Sequence, residues 1–523
     1  MKLQRGSGIL LHLSSLPGPH GIGDLGQAAY RFVDFLKRSG QQYWQFLPLG
    51  PCSRAFGMSP YMSLSAFAGN PLFIDLQRLY EQGLLERAPE PPGFSEHLVD
   101  FDAALDFKHQ QLGLAFQGFR KNGESVDFEK FCRRQQGWLE AYSLFMALRE
   151  KYGKRPWATW PRDVALMKSE TLQEARRELA ERIRYHQFLQ YCFFDQWCRL
   201  RTYANEKGIL LIGDLPIYVG LDSADVWANQ QNYLLNSADL TAIKVAGVPP
   251  DYFSETGQRW GNPIYRWRTA DGSINKTLYD WWRRRFAGNY RIADIIRIDH
   301  FRGFESYWQI PAEEETAVGG EWVEGPGIEF FQEMGKSIGS LPIIAEDLGI
   351  ITPAVEALRD QLRYPGMKVL QFAFDSDESN AYLPHNFTTT NCVVYSGTHD
   401  NDTAVGWYLS PKVPEYSKAR LRRYANCDGS EIHWHFIRLA FSSVAAVAII
   451  PLQDVLGFGS DCRMNMPSTV KDNWRWRIAE RYLDDAIADR LLSETGFYGR
   501  LPQQQPPETG GEAVAPGQET VCS

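Results

Sequence analysis

The sequence predicts an α/β fold, a (β/α)8 TIM barrel with helical subdomain insertions in the barrel loops. Three observations predict it: eight short apolar runs rich in β-branched residues, amphipathic stretches between them, and polar residues where most runs stop. Strands buried on both faces need near-continuous hydrophobic runs, and their alternation with helical patterns reads as βαβ units of a parallel sheet. Eight such runs favour a closed barrel over an open sheet.

The runs come in order along the chain. The first two are Gly-Ile-Leu-Leu-His-Leu-Ser at 8–14 and Tyr-Trp-Gln-Phe-Leu-Pro-Leu at 43–49. Next are Ile-Leu-Leu-Ile-Gly-Asp-Leu at 209–215, Ile-Ile-Arg-Ile-Asp at 295–299 and Ile-Ile-Ala-Glu-Asp at 343–347. The last three are 367–372, 393–398 and 446–451. The gap at 76–207 breaks this rhythm and predicts an inserted, largely helical subdomain. One amphipathic stretch spans 128–152; another begins near the capping box Thr171-x-x-Glu174 and stops before Gly208, a suitable C-terminal cap. Residues 319–331 suggest a smaller excursion. The stretch 247–265, with Tyr252, Phe253, Gly257, Trp260 and Gly261, reads as a glycine-punctuated lid loop. The catalytic barrel is expected over 1–502, and the Gln- and Pro-rich segment 503–523 is expected to be a disordered tail.

A formal charge of −8 argues against a nucleic-acid or anionic-membrane partner. The chain carries 16 Trp, 24 Tyr and 30 Phe, and those beyond the needs of the core suit the flat apolar faces of sugars. No apolar run reaches the ~18 residues of a membrane span, and no leader is read at the start, so a cytoplasmic setting is expected. The eight cysteines lie scattered with no C-x-x-C pair, which points away from a disulfide framework. His300, His399, His433 and His435 do not form a metal-ligand spacing, Gly319-Gly320 lacks the Gly-Lys-Ser/Thr of a phosphate loop, and no EF-hand run occurs. Trp281-Trp282 followed by Arg283-Arg284-Arg285 reads as a solvated helix face.

Three apolar runs end in acids. They are Arg297-Ile298-Asp299-His300-Phe301-Arg302-Gly303, Ile344-Ala345-Glu346-Asp347-Leu348-Gly349 and Gly397-Thr398-His399-Asp400-Asn401. In a parallel barrel all strand C-termini open on one face, so Asp299, Glu346 and Asp400 converge there. Retaining glycosyl transfer needs such a set. One carboxylate attacks the anomeric carbon, and a second carboxyl protonates the departing oxygen and later deprotonates the acceptor. A third stabilises the oxocarbenium-like charge. The plainer alternative is that each acid caps a helix or pairs with Arg297 or Arg302.

The run from Arg297 to Gly303 resembles the nucleophile strand of the amylomaltase (4-α-glucanotransferase) family, a branch of the α-amylase superfamily. Further resemblance lies in Leu13-Ser14-Ser15-Leu16-Pro17, Ser59-Pro60-Tyr61 and Gly213-Asp214-Leu215-Pro216-Ile217-Tyr218. It continues in Gly247-Val248-Pro249-Pro250-Asp251-Tyr252-Phe253 and Arg463-Met464-Asn465. It implies a transferase in which Asp299 is the nucleophile, Glu346 the acid/base and Asp400 the transition-state stabiliser. Arg297, His399 and Asp214 surround the sugar and Tyr61 borders it; Ser59 and Asn465, in matching segments, and Trp260, in a loop the resemblance places over the acceptor side of the cleft, complete the substrate-binding candidates. The resemblance implies α-1,4-glucans and glucose as donor and acceptor, no metal and no organic cofactor. Two other readings stay open from the residues alone. An α-glucan hydrolase uses the same acids with water as acceptor; a non-catalytic glucan-binding barrel predicts the loss of an acid, and none is missing.

Overall fold

The computed structural model describes residues 3–250 and 254–502. Tyr252 and Phe253 of the expected lid, and the tail 503–523, lie outside the described residues.

Eight parallel strands form the barrel: β1 (Gly6–Leu10), β2 (Tyr43–Gln45), β3 (Leu210–Pro216), β4 (Ile295–Asp299), β5 (Ile343–Ala345), β6 (Gly366–Val369), β7 (Cys392–Tyr395) and β8 (Val447–Pro451). Their order is β6-β7-β8-β1-β2-β3-β4-β5, and each falls on a run read from the sequence. β1, β2, β5, β7 and β8 are buried at every residue, which is why their sequences do not alternate. The β5–β6 seam closes through Ala345 N donating to Pro365 O at 2.9 Å. Asp347 completes it, its Oδ1 accepting Met367 N at 2.7 Å. Gly366 permits that approach, since a Cβ there would lie 2.3 Å from Asp347 Oδ2.

Helices Gln27–Arg38, Ala180–Glu206, Lys276–Ile292, Gly327–Ile338, Pro353–Gln361 and Ile432–Ser442 pack around the strands. Between β6 and β7 only the short 3-10 turns Leu370–Phe372 and Pro384–Asn386 occur, so this unit lacks its crossover helix. Residues 76–207 hold helices Phe101–Asn122, Val126–Lys151, Ser169–Glu178 and Ala180–Glu206. Ser125 caps the second of these through Phe128 N, and Phe116, Phe119, Phe128 and Phe188 form the aromatic core beneath. The Thr171 capping box is not used. The helix starts at Ser169 after Lys168, which makes no side-chain cap, so Thr171 lies inside it.

A second, antiparallel sheet lies in the β3–β4 and β4–β5 connections. Its order is Gln258–Pro263, Lys244–Val248, Ser306–Pro311, Glu321–Glu324. Parts of the stretch read as a lid loop are therefore strands. Trp281 and Trp282 also differ from expectation: both are buried, and the Arg285 guanidinium lies 4.7 Å from the Trp282 ring centroid. Arg285 donates to Ile217 O at 2.9 Å, so this side of the helix is core and not solvated. Among the described residues no helix is long and apolar enough to cross a membrane.

Candidate active site

The carboxyl ends of the strands bring the three acids to one rim. Asp299 ends β4, Glu346 follows β5 by one residue, and Asp400 sits in the loop after β7. Because side chains alternate along a strand, Arg297 and Asp299 face the same way, and Arg297 joins two strand ends. Its Nη1 donates to Asp214 Oδ2 on β3 at 2.6 Å, and its Nη2 to Asp299 Oδ1 at 3.0 Å. Tyr61 in the loop after β2 donates its hydroxyl to the same Asp214 oxygen at 2.7 Å. That uses the only phenol proton, so the 2.8 Å contact between Tyr61 Oη and His399 Nε2 has His399 as donor. Asp400 Oδ1 accepts Asn465 Nδ2 at 2.6 Å and lies 3.4 Å from His399 Nε2.

Glu346 is held differently. Its Oε2 accepts His300 N at 2.7 Å and its Oε1 accepts Leu348 N at 2.9 Å. Phe301 N donates to Glu346 O at 3.1 Å, so residues 299–301 and 346–348 are locked together. His300 accepts a left-handed backbone (φ 56°) to make this contact. Trp260 stands edge-on to the His300 ring at 4.8 Å. Ser59 stays outside the network; its Oγ accepts Tyr61 N at 3.3 Å and shapes the turn that presents Tyr61.

Burial pushes the Asp299 carboxyl well above the usual carboxylate range. Arg297 opposes this, while Asp214, Glu346 and Asp400 add to it. Burial also raises Glu346. Burial alone would lower Arg297, but Asp214 and Asp299 overcome it and hold the guanidinium charged. Burial keeps His399 below its ordinary value and raises Tyr61. Asp214 Oδ1 is buried with no hydrogen-bond partner, an acceptor left for a ligand hydroxyl.

Two residues without a sequence-assigned role join the site. Arg463 donates from Nη2 to Asp400 O at 2.5 Å and from Nε to Asn465 O at 2.7 Å, tying two loops. Its motif was visible, but not this backbone role. Trp474 lies 5.9 Å from the Tyr61 ring and 6.0 Å from His399, placed by a left-handed φ of 65° that no sequence pattern announces. The one His/acid cluster of metal-binding size among the described residues is His20, Asp24 and Asp75, in a separate network from the three acids. There Lys108 Nζ already sits 2.8 Å from Asp24 Oδ2 as the balancing cation.

Residues 11–483 match the family model described as 4-alpha-glucanotransferase. The chain belongs to the 4-alpha-glucanotransferase family. It is 51% identical over 504 residues to the 4-alpha-glucanotransferase of Synechocystis sp., covering 95% of this chain and 98% of that protein. To the Thermus thermophilus 4-alpha-glucanotransferase it is 47% identical over 511 residues, 96% of this chain and 100% of that one. The fold superposes on amylomaltase from Streptococcus agalactiae in complex with acarbose with a TM-score of 0.89. That match has 37% identity and covers 95% of this chain and 100% of that chain. This 4-alpha-glucanotransferase family member is thus a glycosyl-transferring enzyme on a (β/α)8 barrel, and the hydrolase alternative is not favoured.

Proposed function

We propose that the chain moves α-1,4-glucan segments from a donor maltooligosaccharide, starch or glycogen chain to the 4-hydroxyl of an acceptor glucan or glucose, through a glycosyl-enzyme on Asp299. The observation that carries the assignment of roles is the position of Arg297. It contacts Asp214 and Asp299 but not Glu346. With Asp214, Asp299 and Glu346 all acting on one buried guanidinium, their full ionisation would leave excess negative charge, so one proton is retained. It belongs on Glu346, which has no direct ion pair, while the direct pair with Arg297 opposes the upward push of burial on Asp299 and favours the anionic form that a nucleophile needs.

In the first step an Asp299 oxygen bonds to the anomeric carbon while its bond to the glycosidic oxygen breaks. Glu346 gives that oxygen its proton, and the shortened chain leaves with a free 4-hydroxyl. In the second step Glu346, now a carboxylate, takes the proton of the acceptor hydroxyl, whose oxygen displaces Asp299. Asp400, fixed by Asn465, faces the developing positive charge, and Asp214 Oδ1, Tyr61 and His399 hold the sugar hydroxyls. Trp260 and Ser59 border the chain-binding side. The acarbose in the Streptococcus agalactiae amylomaltase supports a pocket for a maltooligosaccharide-like ligand. We also propose a cytoplasmic setting.

Maltotriose tests this directly. Incubation yields glucose and a ladder of longer maltooligosaccharides while total reducing ends stay constant. A steady rise in reducing ends would assign water as acceptor and overturn the proposal.

A further inference from the structure

Arg302 is a buried guanidinium with no direct ion pair; the acid acting on it, Glu305, is reached through Ser306, whose Oγ donates to Glu305 Oε2 at 2.6 Å. It is 6% exposed, no ion pair to it occurs among the described residues, and its Nε has no hydrogen-bond partner. Burying such a charge is costly, so its placement calls for a role. Its Nη1 donates to Ile350 O, its Nη2 to Ser306 Oγ at 3.3 Å, and its guanidinium lies 3.9 Å from the centroid of the Trp322 ring.

These contacts tie three pieces together. Residues 299–302 run on from β4 and grip the loop after β5 in succession: His300 N on Glu346 Oε2, Phe301 N on Glu346 O, Arg302 on Ile350 O. The first two grips are backbone atoms. Arg302 supplies the third with a side chain, at the end of a loop with little packing of its own. Gly349 has a φ of 84° and Ile350 is 51% exposed. The loop matters because its Leu348 N–H is one of the two donors that orient the Glu346 carboxyl. The small sheet braces the arrangement from both outer strands, Trp260 against His300 and Trp322 against Arg302.

We propose that Arg302, stacked beneath Trp322, is a positioning residue for Glu346, holding the 346–350 loop so that the carboxyl meets the glycosidic oxygen. This rests on Glu346 being the acid/base. The carbonyl of Ile350 and the face of Trp322 are met at once by a planar fork, which lysine cannot reproduce.

The test is a donor comparison on the intact chain. Maltotriose needs its leaving oxygen protonated; α-maltosyl fluoride does not, because fluoride departs unaided. Arg302→Met is expected to lower kcat on maltotriose about 10- to 100-fold with KM nearly unchanged, while first-turnover fluoride release stays within about 3-fold of wild type. Arg302→Lys restores part of the maltotriose rate. Glu346→Gln shows the same donor split in larger form. Equal losses on both donors in Arg302→Met, or no loss on either, while Glu346→Gln remains selective, overturn the proposal and leave the acid assignment standing. Loss of donor selectivity in Glu346→Gln overturns the acid assignment itself. If Arg302→Met does not fold, Trp322→Ala, at a residue 40% exposed, must show a smaller split of the same kind; without it the proposal fails.

Discussion

Arg297 and Arg500 are both buried, 3% and 0% exposed, at opposite ends of the barrel, and they are satisfied in opposite ways. Arg500 lies at the amino end of the strands and donates to the carbonyls of Gly6, Ala440, Phe441, Ser443, Ala445 and Ala446 at 2.8–3.2 Å. It closes the end of helix Ile432–Ser442 against β1, and Arg5 shares three of those carbonyls. No acid pairs with it among the described residues; burial, with Arg5 adding to it, pushes it down to about 9. Arg297 instead binds two carboxylates and leaves Asp214 Oδ1 open. The lesson is one of saturation. At the amino end backbone carbonyls give every guanidinium nitrogen an acceptor, and the result is stability. At the carboxyl end charges are gathered and left short of partners, so a ligand completes them.

The widest separation between the two ends is expected from Asp299→Asn. It removes the attacking oxygen's charge and drops transfer by several orders of magnitude, with maltooligosaccharide binding retained and the melting temperature little changed. Calorimetric binding alongside maltotriose turnover measures both. Near-normal turnover would end the nucleophile assignment.

The paired substitutions Arg297→Met and Arg500→Met come next. Arg500→Met deprives six carbonyls of a donor and is expected to cost at least about 3 kcal/mol in unfolding free energy, with kcat per folded molecule unchanged. Arg297→Met is expected to lose at least about 100-fold in kcat. Its stability cost depends on pH. Without the cation that opposes it, the Asp299 carboxyl rises further in the folded state, so the variant is closest to wild type at low pH and loses stability as pH rises through that raised value. Denaturant unfolding at pH 5 and pH 8 reads this. The contrast fails if Arg500→Met impairs turnover while Arg297→Met only unfolds.

Legibility in the sequence followed the same division. Strands buried on both faces announce themselves as apolar runs, so all eight were readable; the first ends at Leu10 instead of Ser14 because 13–15 wind into a 3-10 turn. The small sheet was not readable. Its strands are short and half-exposed, with a bulge between Val245 and Gly247 and with Gly261 and Pro263 in the outer strand. Its lid-like look came from those glycines. In the site, acids at strand ends were legible from position alone. Arg463, Trp474 and Arg302 act through backbone carbonyls or through a left-handed φ, which residue type does not encode.

The smallest expected effect concerns His12, behind the site. Burial, with His399 adding to it, pushes its imidazole down to about 3, and burial likewise lowers His300 to about 3. Unfolded histidine titrates near 6.5. Between about pH 6.5 and 3 the unfolded chain therefore binds more protons at these two positions than the folded one. Their contribution to stability is present above pH 6.5 and is lost as pH falls through that window, at up to about 1.4 kcal/mol per pH unit for each. His12→Asn removes one of the two, so its unfolding free energy should fall less steeply than that of wild type between pH 6 and pH 4, by the equivalent of one proton. Arg500 carries no titration in that range, and Arg500→Met should keep the wild-type slope while starting from a lower value. If His12→Asn keeps the full slope, the ring is not held neutral in the folded chain.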